Sequence, residues 1–429
     1  MIEDPLTLVA SQEYMGFATR LRDELNNVIR ERWEVVKEPY TAMRSGAIEP
    51  CSEEDNSRIE REGMFIREMY TRYHTMRRTF QGTKVWGAYG EGFEGGGPFY
   101  ITPIEQKMFG DSRRLDTLQE SIRGTEVQAI CTFDRPDDIA PEWIQEALKD
   151  PKKRESLFKW ASPAASACLE NYFLIDTLIT NDAKTVSGIF PRLGYSRQDK
   201  TWGRQGIQTA AVASMVSPLL KTLVTLDLHN PATQSQGYRP GQVQNFFTSR
   251  VSIPLLAKMG LTFVLGADAG GVARAEHDAK ILGLPYSAAA KVRDHNLANK
   301  VVALEIACNL QGHRVLIPED LIDRGGTVRL VSDAVYSKEA EGLVLYAPHP
   351  LMNPPALDII QKIRDERGEA FQVVVGDTVP HKEGFFPDWV QVISVTRHLA
   401  EIMYRLHLRQ SVSALFDDLV GKYGNGHST

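Results

Sequence analysis

Val315-Leu316-Ile317-Pro318-Glu319-Asp320-Leu321-Ile322-Asp323-Arg324-Gly325-Gly326-Thr327 decides the fold. A short apolar run ends in acids, then in Gly-Gly-Thr, then in a segment able to be helical. That is the pattern of a buried strand handing a loop to the edge of a parallel sheet. Paired glycines let the backbone bend sharply and turn several N–H groups toward one point, an anion nest to which a following helix adds its positive end. Carboxylates beside such a nest suit a sugar phosphate, with hydroxyls at one end and phosphate at the other. The same residues also read as a plain strand-to-helix turn capped by Asp323, and the segment alone does not choose between the two.

Working outward, strands and helices alternate along most of the 429 residues. Leu6–Ala10, Glu126–Cys131, Thr185–Phe190, Leu223–His229, Val264–Gly271, Leu343–Tyr346 and Gln372–Val375 read as strands. Phe17, Leu21 and Leu25, the stretch Ala164–Ile179 and the tail from Val395 to Val420 carry helical spacing. This predicts α/β layers with mainly parallel sheets. Two units fit the length: 1–245, with insertions at about 28–108 and 134–160, and 246–429, whose terminal helical segment is able to pack back on the first unit.

Composition narrows the function. The formal charge of −6 argues against nonspecific nucleic-acid binding. No apolar run reaches the length of a membrane span, and the start, Met1-Ile2-Glu3-Asp4-Pro5, lacks a basic region and an apolar signal core. Four scattered cysteines without a CxxC pair read as reduced thiols of a cytoplasmic protein. The glycines of 91–97 suggest a phosphate loop only superficially, since no strand precedes them and no Lys-Ser/Thr follows.

Three further loops concentrate polar groups at the ends of apolar strands, where open α/β sheets bind ligands. Thr185–Phe190 delivers Gly194-Tyr-Ser-Arg-Gln-Asp-Lys-Thr-Trp-Gly-Arg204, either a ligand loop or a solvated turn. Leu223–His229 ends in Asp-x-His, and Val264–Gly271 in Asp-x-Gly-Gly. A lone His at a strand end is commonly structural, and an Asp before glycines is commonly a turn former. Lys291 and Arg293, at alternate positions of a strand, share one side and could meet phosphate or water.

Together these loops resemble the ribose-phosphate pyrophosphokinases, the phosphoribosyl pyrophosphate (PRPP) synthetases. Gly194–Lys200 resembles that family's G-Y-A-R-Q-D-R/K loop. Asp227-Leu-His229 followed by Gln234-Ser-Gln-Gly-Tyr238 is similar to D-L-H-x-x-Q-x-Q-G-F with two residues added. Asp268–Ala275 matches D-x-G-G-x-x-R-A, Lys291-Val-Arg293 sits where the family has K-R-R, Glu319–Thr327 resembles D-D-I-I-D-T-G-G-T, and Ser411–Phe416 resembles S-V-S-x-L-F. The order agrees from about residue 109 to 418, and the first strand and helix fit as well.

The resemblance implies two phosphoribosyltransferase-like domains (type I PRTase fold). It implies Mg²⁺-dependent transfer of the β,γ-diphosphate of ATP to the 1-hydroxyl of ribose 5-phosphate, giving PRPP and AMP. By position, His229 and Asp268 would hold Mg²⁺. Lys291 and Arg293 would neutralise charge on the moving diphosphate. Arg197, Gln198 and Asp199 would contact ATP, with Lys200 to Arg204 in a closing lid. Glu319, Asp320, Asp323, Arg324, Gly325, Gly326 and Thr327 would form the sugar-phosphate loop, Asp320 and Asp323 holding ribose hydroxyls and Gly325–Thr327 the 5-phosphate. Phe109-Gly-Asp111 resembles F-x-D-G-E, which receives adenine across a subunit interface, so the resemblance implies a homodimer or higher homo-oligomer.

The chain departs from the pattern at Arg324, which replaces a Thr, at Glu319, which replaces an Asp, at Ala267, where Pro usually stands, and at Asp111-Ser-Arg113, which lacks Gly-Glu. Arg is permanently charged and favours bidentate phosphate contacts. Three alternatives therefore stand beside ribose 5-phosphate transfer. The acceptor is ADP-ribose, giving ADP-ribose pyrophosphate for NAD resynthesis; or the chain is a non-catalytic regulatory subunit, which the retained Lys291 and Arg293 speak against; or it consumes PRPP, which would need neither the Arg197–Asp199 loop nor Asp-x-His.

Overall fold

The computed structural model describes residues 6–11, 14–45, 57–67, 69, 104–108, 114–118, 122–123, 125–132, 163–201, 205–268, 270–294 and 300–415. They fall into two compact units. One holds the described residues up to Phe246 together with Thr396–Val412, the other Phe247–Val395 together with Ser413–Leu415.

In chain order the first unit contains β1 (Leu6–Ala10), α1 (Met15–Ser45), β2 (Ile104–Met108), β3 (Arg114–Leu118), β4 (Glu126–Ile130), α2 (Pro163–Thr180), β5 (Thr185–Phe190), α3 (Gln208–Val216), β6 (Thr222–Leu226) and β7 (Val243–Phe246). Its sheet runs β1-β4-β5-β6-β7, with every pairing parallel, while β2 and β3 form a separate antiparallel pair. Val127, Ala129 and Cys131, at alternate positions, share a core with Cys168, Leu174, Ile175 and Leu178 of α2. Period two on the strand meets period three to four on the helix, which is how an apolar face of each is removed from water. Cys131 and Cys168 are free and buried, and burial pushes the Cys168 thiol up to about 11. The helix that starts at Met15 continues through Ser45.

The second unit contains α4 (Ser249–Leu256), β8 (Phe263–Gly266), α5 (Val272–Leu282), β9 (Tyr286–Asp294), β10 (Lys300–Ile306), β11 (Arg314–Pro318), β12 (Leu321–Ile322), α6 (Gly326–Tyr336), β13 (Gly342–Ala347), β14 (His349–Pro350), α7 (Ala356–Arg367), β15 (Phe371–Gly376) and β16 (Val390–Ile393). Its seven-stranded sheet runs β10-β9-β8-β11-β13-β15-β16, antiparallel only between β9 and β10. Val315, Ile317, Leu343, Leu345, Val373 and Val375 face α6 and α7, while Leu316, Val344, Tyr346 and Val374 face α4 and α5. Helices cover both faces, so these strands read as continuous apolar runs.

The last helix, α8, is Thr396–His407. It is shorter than the expected Val395–Val420: Arg409 takes a left-handed φ of 56°, and only a 3-10 turn, Ser413–Leu415, follows among the described residues. Within the first unit α8 packs on α1. Arg397 pairs with Glu24 and Glu31, Arg32 with Glu401, and the buried Tyr404 hydroxyl donates to Glu62 at 2.7 Å. At the far end, buried His407 Nδ1 lies 3.2 Å from Glu126 Oε2, and Lys221 Nζ lies 2.8 Å from the other oxygen. The His407 hydrogen bond, aided by Lys221 against the opposing effect of burial, holds the Glu126 carboxyl at about 2. Among the described residues no helix is long and apolar enough to cross a membrane.

A depressed carboxyl pKa contributes stability above the unfolded value, near 4.5, which is lost as pH falls toward about 2. Urea midpoints measured between pH 6 and pH 2.5 should therefore drop for the wild type, and the drop should shrink in Glu126→Gln. An equal pH dependence in the two proteins would remove this ion cluster as a cause.

Candidate functional site

The loop after β11 is held at every step. Glu319 N–H donates to Tyr346 O at 2.8 Å, β12 pairs with β14, and Met352 N–H donates to Ile322 O at 3.0 Å. Asp320 is buried, its Oδ1 3.9 Å from Arg274 Nη1 of α5, and Asn353 Nδ2 donates to Asp323 Oδ1 at 2.8 Å. The two carboxylates are thus fixed in place before any ligand arrives.

Helix α6 begins at Gly326, and its N-cap is Gly325 with φ 75° and no side-chain cap. Asp323 is therefore not the cap. The first N–H groups of a helix have no partner within it, and here no side chain takes them, while Arg324, Gly326 and Thr327 are exposed. Unpartnered N–H groups and the positive helix end are chemistry that suits an anion. Gly325 is obligatory on two counts: its φ lies in the left-handed region, and a Cβ there would stand 3.1 Å from Ala356 Cα at the start of α7. Arg324 makes no hydrogen bond or ion pair among the described residues.

At the end of β8, Asp268 Oδ1 accepts from Gly271 N–H at 2.9 Å, which orients the carboxylate. A Cβ on Gly266 would lie 3.0 Å from Gly271 C, so the strand end and the loop approach as closely as backbone allows. Arg274 sits one turn into α5 and joins this loop to the Glu319–Thr327 loop through Asp320. Lys291 and Arg293 occupy alternate positions of β9, opposite Leu304 and Val301 of β10.

In the first unit, β5 leads into Gly194–Thr201. Tyr195 takes a left-handed φ of 62°, its carbonyl accepts from Thr209 Oγ1 at 2.8 Å, and Gln198 O accepts from Thr209 N–H at 3.3 Å. Arg197, Gln198 and Lys200 are exposed. Asp199 is not: it is buried, accepts from Asn230 Nδ2, and its carbonyl accepts from Gln236 Nε2 at 2.9 Å. Its carboxylate braces this loop against the loop after β6. There Asp227 turns with φ 40°, its N–H donating to Phe246 O at 2.9 Å, and His229 follows exposed.

Among the described residues no group of three or more His, Cys, Asp and Glu is gathered as a metal cage. In the second unit Asp268 offers a hard oxygen, and in the first His229 offers an exposed imidazole, each a donor type that a cation bound to phosphate oxygens accepts. Phe109, Asp111 and Arg204 lie outside the described residues, as does the 91–97 glycine stretch. Sequence reasoning missed Arg274, Asn230, Gln236 and Asn353 as supports. Arg274 was visible inside the Asp268–Ala275 motif, whereas Asn353 is separated from its partner by 30 positions and had no local signal.

Residues 98–219 match the model of the N-terminal domain of ribose phosphate pyrophosphokinase. The chain is 30% identical over 263 residues to ribose-phosphate pyrophosphokinase 1 of Streptococcus mutans, covering 60% of this chain and 80% of that protein. It is 31% identical over 261 residues to ribose-phosphate pyrophosphokinase of Halalkalibacterium halodurans, with the same coverage. The crystal structure of phosphoribosylpyrophosphate synthetase from Mycobacterium smegmatis superposes with a TM-score of 0.59 at 21% identity, covering 72% of this chain and 91% of that one, which shows the shared fold.

Gly325→Ala should lower stability by about 1–3 kcal/mol, from the left-handed φ and the contact with α7. Gly326→Ala, helical and with open space around it, should not. Thermal or urea denaturation of the two variants reads the difference; equal losses would mean that the turn is not constrained as described.

Proposed function

The chain belongs to the ribose-phosphate pyrophosphokinase family, and on that premise we propose that it transfers the β,γ-diphosphate of ATP to the 1-hydroxyl of ribose 5-phosphate, with Mg²⁺, releasing AMP. The observation that supports it most is the uncapped start of α6 behind Gly325, beside two carboxylates already held by other residues. Phosphate suits the first, and sugar hydroxyls suit the second.

In this reading the N–H groups of Gly326 and Thr327 and the positive end of α6 receive the 5-phosphate. Asp320 and Asp323 accept from ribose hydroxyls and fix the sugar's orientation. Glu319, held by its backbone, closes the strand side of the loop. Exposed Arg197 and Gln198 contact ATP, and Lys200 belongs with Arg204 to the covering segment. Asp199 is a positioning residue, since its carboxylate is occupied by Asn230. Phe109 and Asp111 belong to adenine recognition between protomers of a homo-oligomer. Asp268 and His229 would hold Mg²⁺, which when bound would supply positive charge against the triphosphate.

The sugar hydroxyl forms a bond to the β-phosphorus as the bond from that phosphorus to the AMP oxygen breaks. No enzyme nucleophile is required; catalysis is positioning and charge stabilisation. Lys291 and Arg293 supply the latter as negative charge shifts across the diphosphate.

Arg324 favours a second reading. It is exposed directly before Gly325, and it carries a fork suited to another phosphate. An acceptor extended beyond its 5-phosphate, such as ADP-ribose, would meet it there.

Incubation with ATP, Mg²⁺ and either acceptor, following AMP, separates the readings. AMP with ribose 5-phosphate is expected. AMP with ADP-ribose alone moves the assignment to the second reading, where Arg324→Thr should weaken that acceptor selectively, and no AMP with either contradicts both. Lys291→Ala should reduce turnover by about 10²–10³-fold with an unchanged circular dichroism spectrum; full turnover would remove Lys291 from the machinery.

A further inference from the structure

The parallel strands of the first unit have two ends, and only one carries the loops above. At the other end, where β5, β6 and β7 begin, there is a cavity of about 610 Å³. β5 is six residues long, so the cavity lies roughly 20 Å along the strand from the Gly194–Thr201 loop. Its size falls within the range of small-molecule sites, about 300–1,000 Å³.

Its chemistry is one-sided. Lys184, Lys221 and Arg239 line it, and no Asp or Glu does. Lys221 is paired with Glu126 at 2.8 Å, and Lys184 and Arg239 are exposed. Ile179, Pro218, Leu219 and Pro240 supply an apolar wall.

The frame is built rather than incidental. Gln242 is 4% exposed and uses its whole amide on it. Its Nε2 donates to Ser217 O at 2.8 Å and Leu220 O at 2.7 Å, while its Oε1 accepts from Ser217 Oγ at 2.7 Å and Arg239 N–H at 3.1 Å. One buried side chain thus locks the turn after α3 to the turn before β7. Arg239 Nη2 donates to Leu220 O as well, which pins the guanidinium across the same turn. A pinned guanidinium loses little freedom on binding, and its fork matches phosphate oxygens.

We propose that this cavity, framed by Gln242 and lined by Lys184 and Arg239, is a second binding site, distinct from the ATP and sugar-phosphate loops, for a small organic phosphate whose apolar body lies against Pro218, Leu219 and Pro240. It does not depend on the acceptor assigned above, because its test reads binding and not turnover.

The probe is 1-naphthyl phosphate, titrated calorimetrically into the intact chain and into Arg239→Glu and Lys184→Glu. Wild type should show a saturable event that each variant weakens about tenfold or more, through repulsion replacing attraction. Arg324→Thr, in the other unit, should leave that event unchanged. The absence of saturable binding to wild type overturns the proposal, as does binding that is equal in wild type and both cavity variants, which would place the probe elsewhere. Should Arg239→Glu fail to fold for want of its Leu220 contact, Lys184→Glu, at an exposed side chain, decides the matter alone.

Discussion

The left-handed turn at Gly325 against α7 is the constraint on which the loop after β11 depends. Because no Cβ intrudes on Ala356, the chain turns directly from the Asp323 carboxylate into the first turn of α6. A residue with a side chain would push the helix start away from α7 and separate the N–H groups from the acids. The β12–β14 pair, Asn353 and Arg274 then act on a loop whose path is already set. The proposed sugar and phosphate contacts would then rest on rigid geometry, which costs little ordering when a ligand binds.

The same economy governs the first unit. Asp199 is used to hold Arg197, Gln198 and Lys200 outward instead of reaching outward itself. Asp268 is oriented by its own loop through Gly271, and Gly266 lets that loop lie against its strand. In each case a buried polar contact fixes an exposed one, and each loop stands at the C-terminal end of a parallel strand, where backbone N–H groups and helix starts collect. The cationic cavity at the other strand ends is the exception, since it serves none of these loops.

Much of this was legible in the residues because it is local. Leu6–Ala10 and Thr185–Phe190 are strands at the boundaries that their apolar runs suggest, and the two faces of β13 and β15 follow from uninterrupted apolar sequence. The four-residue edge strands β7 and β16 were not seen, because Gln244, Asn245 and Gln391 break the apolar pattern at a sheet edge where one side is open. The final helix was read too long because the apolar spacing continues past Arg409, where the backbone turns left-handed. The contact that braces Asp199 left no local signal, because Asn230, which donates to it, lies 31 positions away. Long-range pairing of this kind leaves no mark in local periodicity.

In the proposed reaction a whole diphosphate, and not a single phosphate, passes to an acceptor seated on α6. ATP labelled in the β-phosphate, incubated with ribose 5-phosphate and Mg²⁺, tests it directly. The label should leave the nucleotide and appear on the sugar product in step with unlabelled AMP. Label retained in ADP would mean transfer of the γ-phosphate alone and would contradict it.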